Sequence, residues 1–521
     1  MSATDPIPSL RAALPDLELS QDGLDLYSTD VFYRALHLPL AVARPNEIAQ
    51  VLALVDQARK LRLTLMTRGA GLSYSAGYLA PNDRTVLVDM QGMNRITELN
   101  VEDRFVTVQP GVTWSQLREA LAPHGLTTPF WGTFSGQFAT VGASVSQGAK
   151  FFGSASRGGS AESVLGLKVV TGTGEVLTTG AAASTEPTAP FFRNYGPDLT
   201  GPFLGDTGAF GIKVEITLVL IPAAQAMGYG TFSFADPKKQ MEAMGRIGAE
   251  MLATECQGMD PFSARARLAS EGLTKDVGLL WKIMRNSGGV VQALRNGATI
   301  ALNGRRFAKG DGYLMNVVCE GRDTADAQSR IRRVRQIAAS CGGRELPSSI
   351  PRALRAMPFP PMDSLLTPSG KRMNWLHVVV PNSLGAKCFE VTERIFERNA
   401  GAMKAAGIDR GYLLSTHGPT AVGVETLLRW GDAPLPIHTH YMSDPSKVRK
   451  REDNPASRAV LEQLSAEILQ EWRALGGVHM QIGKKYPYLE TRLPETAGLL
   501  RDLKARLDPD GIINTGNVFV G

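Results

Sequence analysis

The alternation of apolar and polar positions divides the chain into two stretches of different character. Over residues 46–62, Ile48, Val51, Leu52 and Val55 recur at helical spacing, with Asn46 placed to cap and Glu47 in the first turn, which predicts an amphipathic helix. Residues 63–67, 85–89 and 105–108 read as short buried strands, the last running into Pro110 and Gly111, and 114–122 reads as a helix closed by Gly125. The run VLGLKVVTGTGEVLTTG alternates branched residues about a Gly-Thr-Gly turn and predicts a hairpin. Residues 209–221 form one more strand, and Pro222 ends the stretch. Beyond it, helical patterns at 236–254, 323–340, 384–406 and 455–475 alternate with strands at 313–318 and 375–380 around a proline-rich interlude at 347–368. The segment LPIHTHYM reads as a strand, which would set His438 and His440 on one face. The pattern is α+β throughout.

Composition narrows the possibilities. At about 100–200 residues per domain, 521 residues imply several domains. With 43% hydrophobic and 20% charged residues the chain is globular and not disordered. A net charge of +6 and a pI of about 9.1 are too modest for a nucleic-acid footprint and tilt only mildly toward an anionic ligand. The basic runs at 330–335 and 447–451 read as solvated faces. Cys256, Cys319, Cys341 and Cys388 are too scattered for a zinc ribbon or a disulfide framework. The first twenty residues lack the basic and apolar regions of a signal peptide, and no run of about 18 apolar residues occurs. A cytoplasmic protein without a membrane span is the expectation.

Glycine concentrates in residues 69–215, where a backbone must approach something closely. The first loop, Arg68-Gly-Ala-Gly-Leu-Ser73, follows a strand and could hold phosphate with successive N–H groups. It is not a Rossmann fingerprint, because the third glycine is replaced by Tyr74 and no helix follows. A nicotinamide enzyme is therefore disfavoured. The second stretch, 134–153, is lined by small and hydroxyl residues but carries Val141, Val145, Phe151 and Phe152, which a linker would not.

The order of RGAGLSYSAG, VTVQPGVTW, ATVGASVSQGAKFFGS, SVLGLKVVTGTGEVL, GPDLTGPFLGDTGAFGI and LDPDGIINTGNVF resembles the flavoprotein superfamily of vanillyl-alcohol oxidase and p-cresol methylhydroxylase, which includes FAD-linked hydroxyacid dehydrogenases. The resemblance covers about 25–222 and 475–521. It implies a two-subdomain FAD-binding domain of p-cresol methylhydroxylase type at 1–222, an α+β cap or substrate domain at 223–475, and a C-terminal segment, 476–521, returning to the FAD domain. Carried over by motif, Arg68, Gly69, Ala70, Gly71, Leu72 and Ser73 would wrap the pyrophosphate, and Pro110 and Gly111 would pass near the adenine side. Thr140, Val141, Gly142, Ser146, Gln147, Gly153 and Ser154 would line the ribityl and pyrophosphate path. Gly211 and Ile212 would touch the adenosine, and Asn514 would approach the flavin. Many relatives bond the flavin through a first-loop histidine; Leu72 stands there, so non-covalent FAD is expected. The metal-binding histidine motifs of the hydroxyacid dehydrogenases are not intact, so no metal is expected.

The implied activity is oxidation of an alcohol, hydroxyacid or phenolic side chain by hydride transfer to flavin N5, with a small-molecule substrate, O₂ or a redox protein as electron acceptor, and a homodimer as the assembly. The alternatives are an aryl-alcohol or 4-alkylphenol enzyme, a D-2-hydroxyacid dehydrogenase, and a non-catalytic ligand-binding protein on the same fold. Such oxidation needs a base and a means of holding the substrate. His438, His440 and His479 are candidate bases, and Tyr486 and Arg429 are candidate anchors for an anion. His377, on an apolar strand, reads as a satisfied core residue. Trp375, Phe359 and Trp430 could line the cap.

Overall fold

The computed structural model describes residues 5–264, 312–365 and 369–519; 265–311 of the expected cap range and 366–368 of the proline-rich interlude lie outside the described residues. Three large sheets organise the chain. The first runs Glu18–Ser20, Ala41–Arg44, Thr85–Asp89, Thr64–Arg68, with its last three strands parallel. Thr85–Asp89 is buried along its whole length, as a parallel strand covered on both faces must be. The helix Ile48–Leu61 packs Val51, Leu54 and Val55 against this sheet. It starts two residues later than the sequence pattern implies. Asn46 does not cap it; the Gln50 side chain instead reaches back to the Asn46 N–H.

The second sheet is antiparallel, in the order Ile96–Asn100, Phe105–Val108, Ile212–Val219, Val164–Val170, Val176–Thr178. The expected hairpin forms its far edge. Helix Trp114–Leu121 is capped by Thr113 and Gln116 acting reciprocally, and Trp114 and Leu117 bury against the sheet.

The third sheet has seven antiparallel strands among the described residues: Arg344–Leu346, Ala226–Phe234, Tyr313–Gly321, Glu255–Met259, Asp409–His417, Ala421–Gly431 and Lys371–Pro381. Period-2 alternation gives it two faces. Leu376, Val378, Val422, Val424, Leu428 and Trp430 turn toward the helices Pro237–Ala249, Thr324–Ser340, Gly385–Arg398 and Pro455–Ala474. Trp430 is thus core and not a cap lining, and Phe359 packs beside Trp131 and Phe152. Asp236, Asp323 and Asn454 cap three of these helices through their side chains, and proline at the first helical position of two sharpens the start. The opposite face of the sheet looks toward the glycine loops.

Two devices hold the sheets together. Arg355 pairs with Glu255 at 2.6 Å and with Glu320, while Glu320 also pairs with Arg157 from the N-terminal unit at 2.7 Å. Arg355 lies over the Trp131 ring. Burial pushes the Glu255 carboxyl up to about 7, and Arg355 opposes it. The second device is the tail. Residues 512–514 lie beside strand Thr64–Arg68, with Leu65 N–H donating to Ile512 and Asn514 N–H donating back to Leu65. Asn514 Oδ1 accepts from Thr67 N–H at 2.8 Å and its Nδ2 donates to Gly208 at 2.9 Å. Asn517 Nδ2 donates to Gly77 at 2.7 Å and Thr207 at 2.9 Å. One short segment therefore ties the first glycine loop to the Gly208 turn.

Arg355→Met leaves Glu255 and Glu320 buried beside one remaining arginine, and a chemical-denaturation series is expected to show a loss of about 3–5 kcal/mol. Asn514→Ala strands the Thr67 N–H and the Gly208 carbonyl and places alanine at φ 47°. It is expected to cost about 2–4 kcal/mol by the same measurement.

Candidate functional site

A cavity of about 380 Å³ runs between the glycine loops and the free face of the seven-stranded sheet. Its floor is the loop after strand Thr64–Arg68. Here the carbonyls are committed: Ala70 O accepts from Tyr441 Oη at 2.6 Å, Gly71 O from Tyr78 Oη at 2.6 Å, and Ser73 O from Val31 N–H at 3.0 Å. The N–H groups of Ala70, Gly71, Leu72, Ser73 and Tyr74 have no acceptor among the described residues. Gly71 sits at φ 77°, and a Cβ there would collide with the Arg68 guanidinium. Arg68 is buried with its Nε and Nη2 unpartnered, stacked on the rings of Tyr27 and Tyr78. Buried donors without acceptors are costly, and a cation beside a row of free N–H groups calls for an anion. A pyrophosphate meets that demand, so these residues fit FAD.

Of the residues expected to hold the cofactor, Arg68 through Ser73, Pro110, Thr140, Gly142, Ser146, Gln147, Gly211 and Ile212 line this cavity. Gly111, Val141, Gly153, Ser154 and Asn514 do not. Gly111 packs under the Met90 and Met93 carbonyls, and Val141 is core. Gly153 passes against the Pro129 carbonyl, and Ser154 Oγ accepts from Phe151 N–H. Asn514 is the tail clasp described above.

The roof is built by strand register. Met259, Leu413, Glu425 and His377 form one cross-strand row; Leu427 and Trp375 form the next; Arg429 and Met373 form a third. Glu425 makes no hydrogen bond or ion pair among the described residues, and burial alone raises its carboxyl to about 7. Tyr74 faces the same space from the loop side; its hydroxyl has no partner among the described residues, and burial followed by the Glu425 charge raises its pKa. Trp375 Nε1 and Arg429 Nε are likewise buried donors without acceptors.

The expected catalytic set is dispersed. LPIHTHYM is not a strand: Pro436 opens a short helix, Pro436–His440, so His438 and His440 do not share a face. His438 is fully buried; its Nδ1 accepts from Leu435 N–H at 3.0 Å and its Nε2 donates to Val31 O at 2.8 Å. Burial depresses it to about 4, so it is a neutral strut. His440 is exposed and off the cavity. His479 stacks on Tyr486 and donates from Nδ1 to His377 O at 2.8 Å, also off the cavity. Tyr486 lies behind His377, its hydroxyl 2.8 Å from Nδ1. Arg429 alone of the set lines the cavity. His377 does so too, but Gln481 N–H donates to its Nε2, so the remaining proton is on Nδ1 toward Tyr486. Burial, then the neighbouring His479 and Lys485, holds it far below the ordinary range and neutral. Glu425 and Tyr74 escaped the sequence reading. Glu425 carried a signal: a carboxylate inside the apolar run VGVETLLRW, four residues from Arg429 and so on its face.

Residues 39–180 match a family described as an FAD binding domain. The glycolate oxidase subunit GlcD of Escherichia coli (strain K12) is 31% identical over 271 residues, covering 51% of this chain and 50% of that protein. The chain thus spans about half the length of the curated relatives it matches. Across nearly the whole chain the fold is that of p-cresol methylhydroxylase with substrate bound (TM-score 0.73, 17% identity, 98% of this chain and 96% of that one). It is equally that of a 4-ethylphenol oxidase from Gulosibacter chungangensis in its isoeugenol complex (TM-score 0.72, 18% identity, 99% and 97%). The matched domain, the shared fold and the unsatisfied anion cradle converge: residues 39–180 match an FAD binding domain, set in a fold shared with p-cresol methylhydroxylase and the 4-ethylphenol oxidase.

Proposed function

We propose that this protein is an FAD-dependent oxidoreductase that oxidises an alcohol, hydroxyacid or phenolic side chain at the roof of this cavity, with Glu425 as the base. The observation that carries the reading is the joining, in one cavity, of an anion cradle on the FAD-binding side with an unpaired carboxyl poised near neutrality on the other. The names of the similar proteins span a glycolate oxidase subunit and enzymes of alkylphenols, all compatible with this chemistry.

FAD, when bound, supplies the hydride acceptor. Arg68 and the N–H groups of 70–74 hold its phosphates. Glu425 takes the substrate hydroxyl proton on a carboxylate oxygen; with a pKa near 7 it is ionised in a useful fraction at neutral pH and still basic enough to bind a proton. Tyr74, raised and therefore protonated, donates a hydrogen bond to the substrate oxygen from the loop side. His377 cannot replace Glu425, because its acceptor nitrogen is occupied by Gln481 N–H. FAD would be held without a covalent bond through the first loop, where Leu72 offers no nucleophile.

The purified protein is expected to be yellow, with bands near ~370 and ~450 nm, and to release its colour into the supernatant on acid precipitation. A colourless protein that takes up no added FAD sinks the reading. Arg68→Ala is expected to weaken FAD retention at least about tenfold, measured by equilibrium dialysis. Glu425→Gln is expected to retain FAD yet lose about 10²–10⁴ in kcat. In the wild type the rate of flavin reduction should rise with pH and level off above about 7, as the carboxyl ionises, and the variant should lose this limb. The sign for stability is opposite. A carboxyl raised from 4.5 to about 7 stabilises the fold below pH 4.5 and loses that contribution as pH rises through 7. Melting temperature in Glu425→Gln should therefore fall less steeply over that window than in the wild type.

A further inference from the structure

We propose that the substrate is an elongated anion, with a carboxylate or similar group held by Arg429 and its oxidised carbon several bonds away beside Glu425, joined by an apolar aryl or alkyl stretch. The inference rests on the reading of this cavity as the site of oxidation, and adds to it which class of substrate the cavity takes.

Arg429 is the first ground. Its side chain lines the cavity, its Nε is buried without an acceptor, and no carboxylate stands within ion-pair distance among the described residues. The nearest acids are engaged elsewhere. Asp409, its cross-strand partner, pairs with Lys371, and Asp260 accepts from the N–H groups of Phe262, Ser263 and Tyr412. The other contact of the guanidinium is the Phe262 ring, 5.9 Å from its centroid. Desolvation lowers the Arg429 pKa, as expected of a cation left without a partner in a half-buried site, and an anionic ligand would relieve that cost.

Strand geometry is the second ground. Glu425, Leu427 and Arg429 occupy alternate positions on one strand and share the cavity face. Four residues of extended chain separate the Cα atoms of Glu425 and Arg429 by about 13 Å. Side chains stand roughly perpendicular to a sheet, so the two head groups keep much of that separation, and a molecule that bridges them across Leu427 is several bonds long. In a short 2-hydroxyacid such as glycolate the carboxylate and the oxidised carbon are joined by a single bond of about 1.5 Å. Such a molecule reaches one group or the other.

The lining between the two is the third. Leu427, Trp375 and Met373 pave the roof from Glu425 to Arg429, and Met362 and Leu365 close the space. This is a flexible apolar wall with one unpartnered donor, Trp375 Nε1. It suits a ring or a methylene chain and offers a short polar acid nothing.

The test is binding to the FAD-loaded protein, read as perturbation of the flavin spectrum, and in parallel to protein without FAD, read as a shift in melting temperature. The probes are ω-phenylalkanoates from phenylacetate to 6-phenylhexanoate, their primary amides, glycolate and D-lactate. Affinity is expected to rise at least about tenfold along the acid series and to exceed that of the matching amides at least about tenfold. Arg429→Met is expected to erase the acid-over-amide preference while leaving amide binding and flavin content unchanged, and Arg429→Lys to restore part of it. Equal affinity for acids and amides, tightest binding by glycolate or D-lactate, no binding by any acid of the series, or a preference that survives in Arg429→Met overturns the proposal. Failure of the underlying reading is seen separately, as absence of FAD or an unaffected Glu425→Gln, and the melting-temperature arm still reports on Arg429 in that case.

Discussion

Three carbonyl oxygens of the first glycine loop, those of Ala70, Gly71 and Ser73, are spoken for, and among the described residues the amide hydrogens of 70–74 are not. A backbone cannot leave both halves of its peptide groups unsatisfied inside a fold, so fixing the carbonyls decides which way the N–H groups face. Tyr78 comes from the same loop, Val31 from the N-terminal segment and Tyr441 from the end of the short helix Pro436–His440. Two remote pieces of chain and the loop's own tyrosine thus orient the peptide units that carry the N–H groups of Gly71, Leu72 and Tyr74. Val31 is itself held by His438, and the strand from which the loop springs is held by Asn514. The binding surface for FAD depends on the closure of the whole chain around one turn of backbone.

This dependence explains what could be read in advance and what could not. The helix at 48–61, the hairpin at 164–178, the strands at 85–89 and 105–108 and the four long helices packed on the seven-stranded sheet carry strong local signals: period, caps and turn residues. The glycine loops were legible as places of close approach because glycine content is itself local. The candidate site residues beyond Pro222 were not. His438 and His440 sit in five residues that alternate like a strand, yet Pro436 at the first helical position and the Leu435 N–H bond to His438 Nδ1 close a turn instead. Five residues cannot distinguish a two-residue period from a single helical turn when proline fixes the start. His479 and Tyr486 were sought as chemistry because of their residue type. They proved to be packing behind His377, a relation set by the pairing of Val379 with Val478 across about a hundred residues.

Glu425 was missed for a complementary reason. A search for bases that begins with histidine looks for residues whose ordinary pKa lies near neutrality. Here His377, the histidine that lines the cavity among the described residues, is neutral with both nitrogens engaged, and the group poised near pH 7 is a carboxylate moved there by burial. The sheet makes this possible. Its other face is paved by Val422, Val424, Leu428 and Trp430 against four helices, so the strand is held firmly enough to keep a polar side chain on the cavity face without a protein partner. The stability lost by burying Glu425, Arg429 and the Trp375 N–H without partners is supplied by that apolar face.

The same logic orders the roles along the cavity. On the loop side the unsatisfied groups are donors and a cation, which select phosphate. On the roof they are a carboxyl, an indole N–H and a second cation, separated by apolar side chains at strand spacing. A ligand that satisfied only the cradle would leave the roof polar groups bare, and one that satisfied only the roof would leave the cradle bare. On the proposed reading the cavity takes two molecules at once, and the ladder that pairs His377 with Glu425 and Met373 with Arg429 would set the distance that the second of them spans.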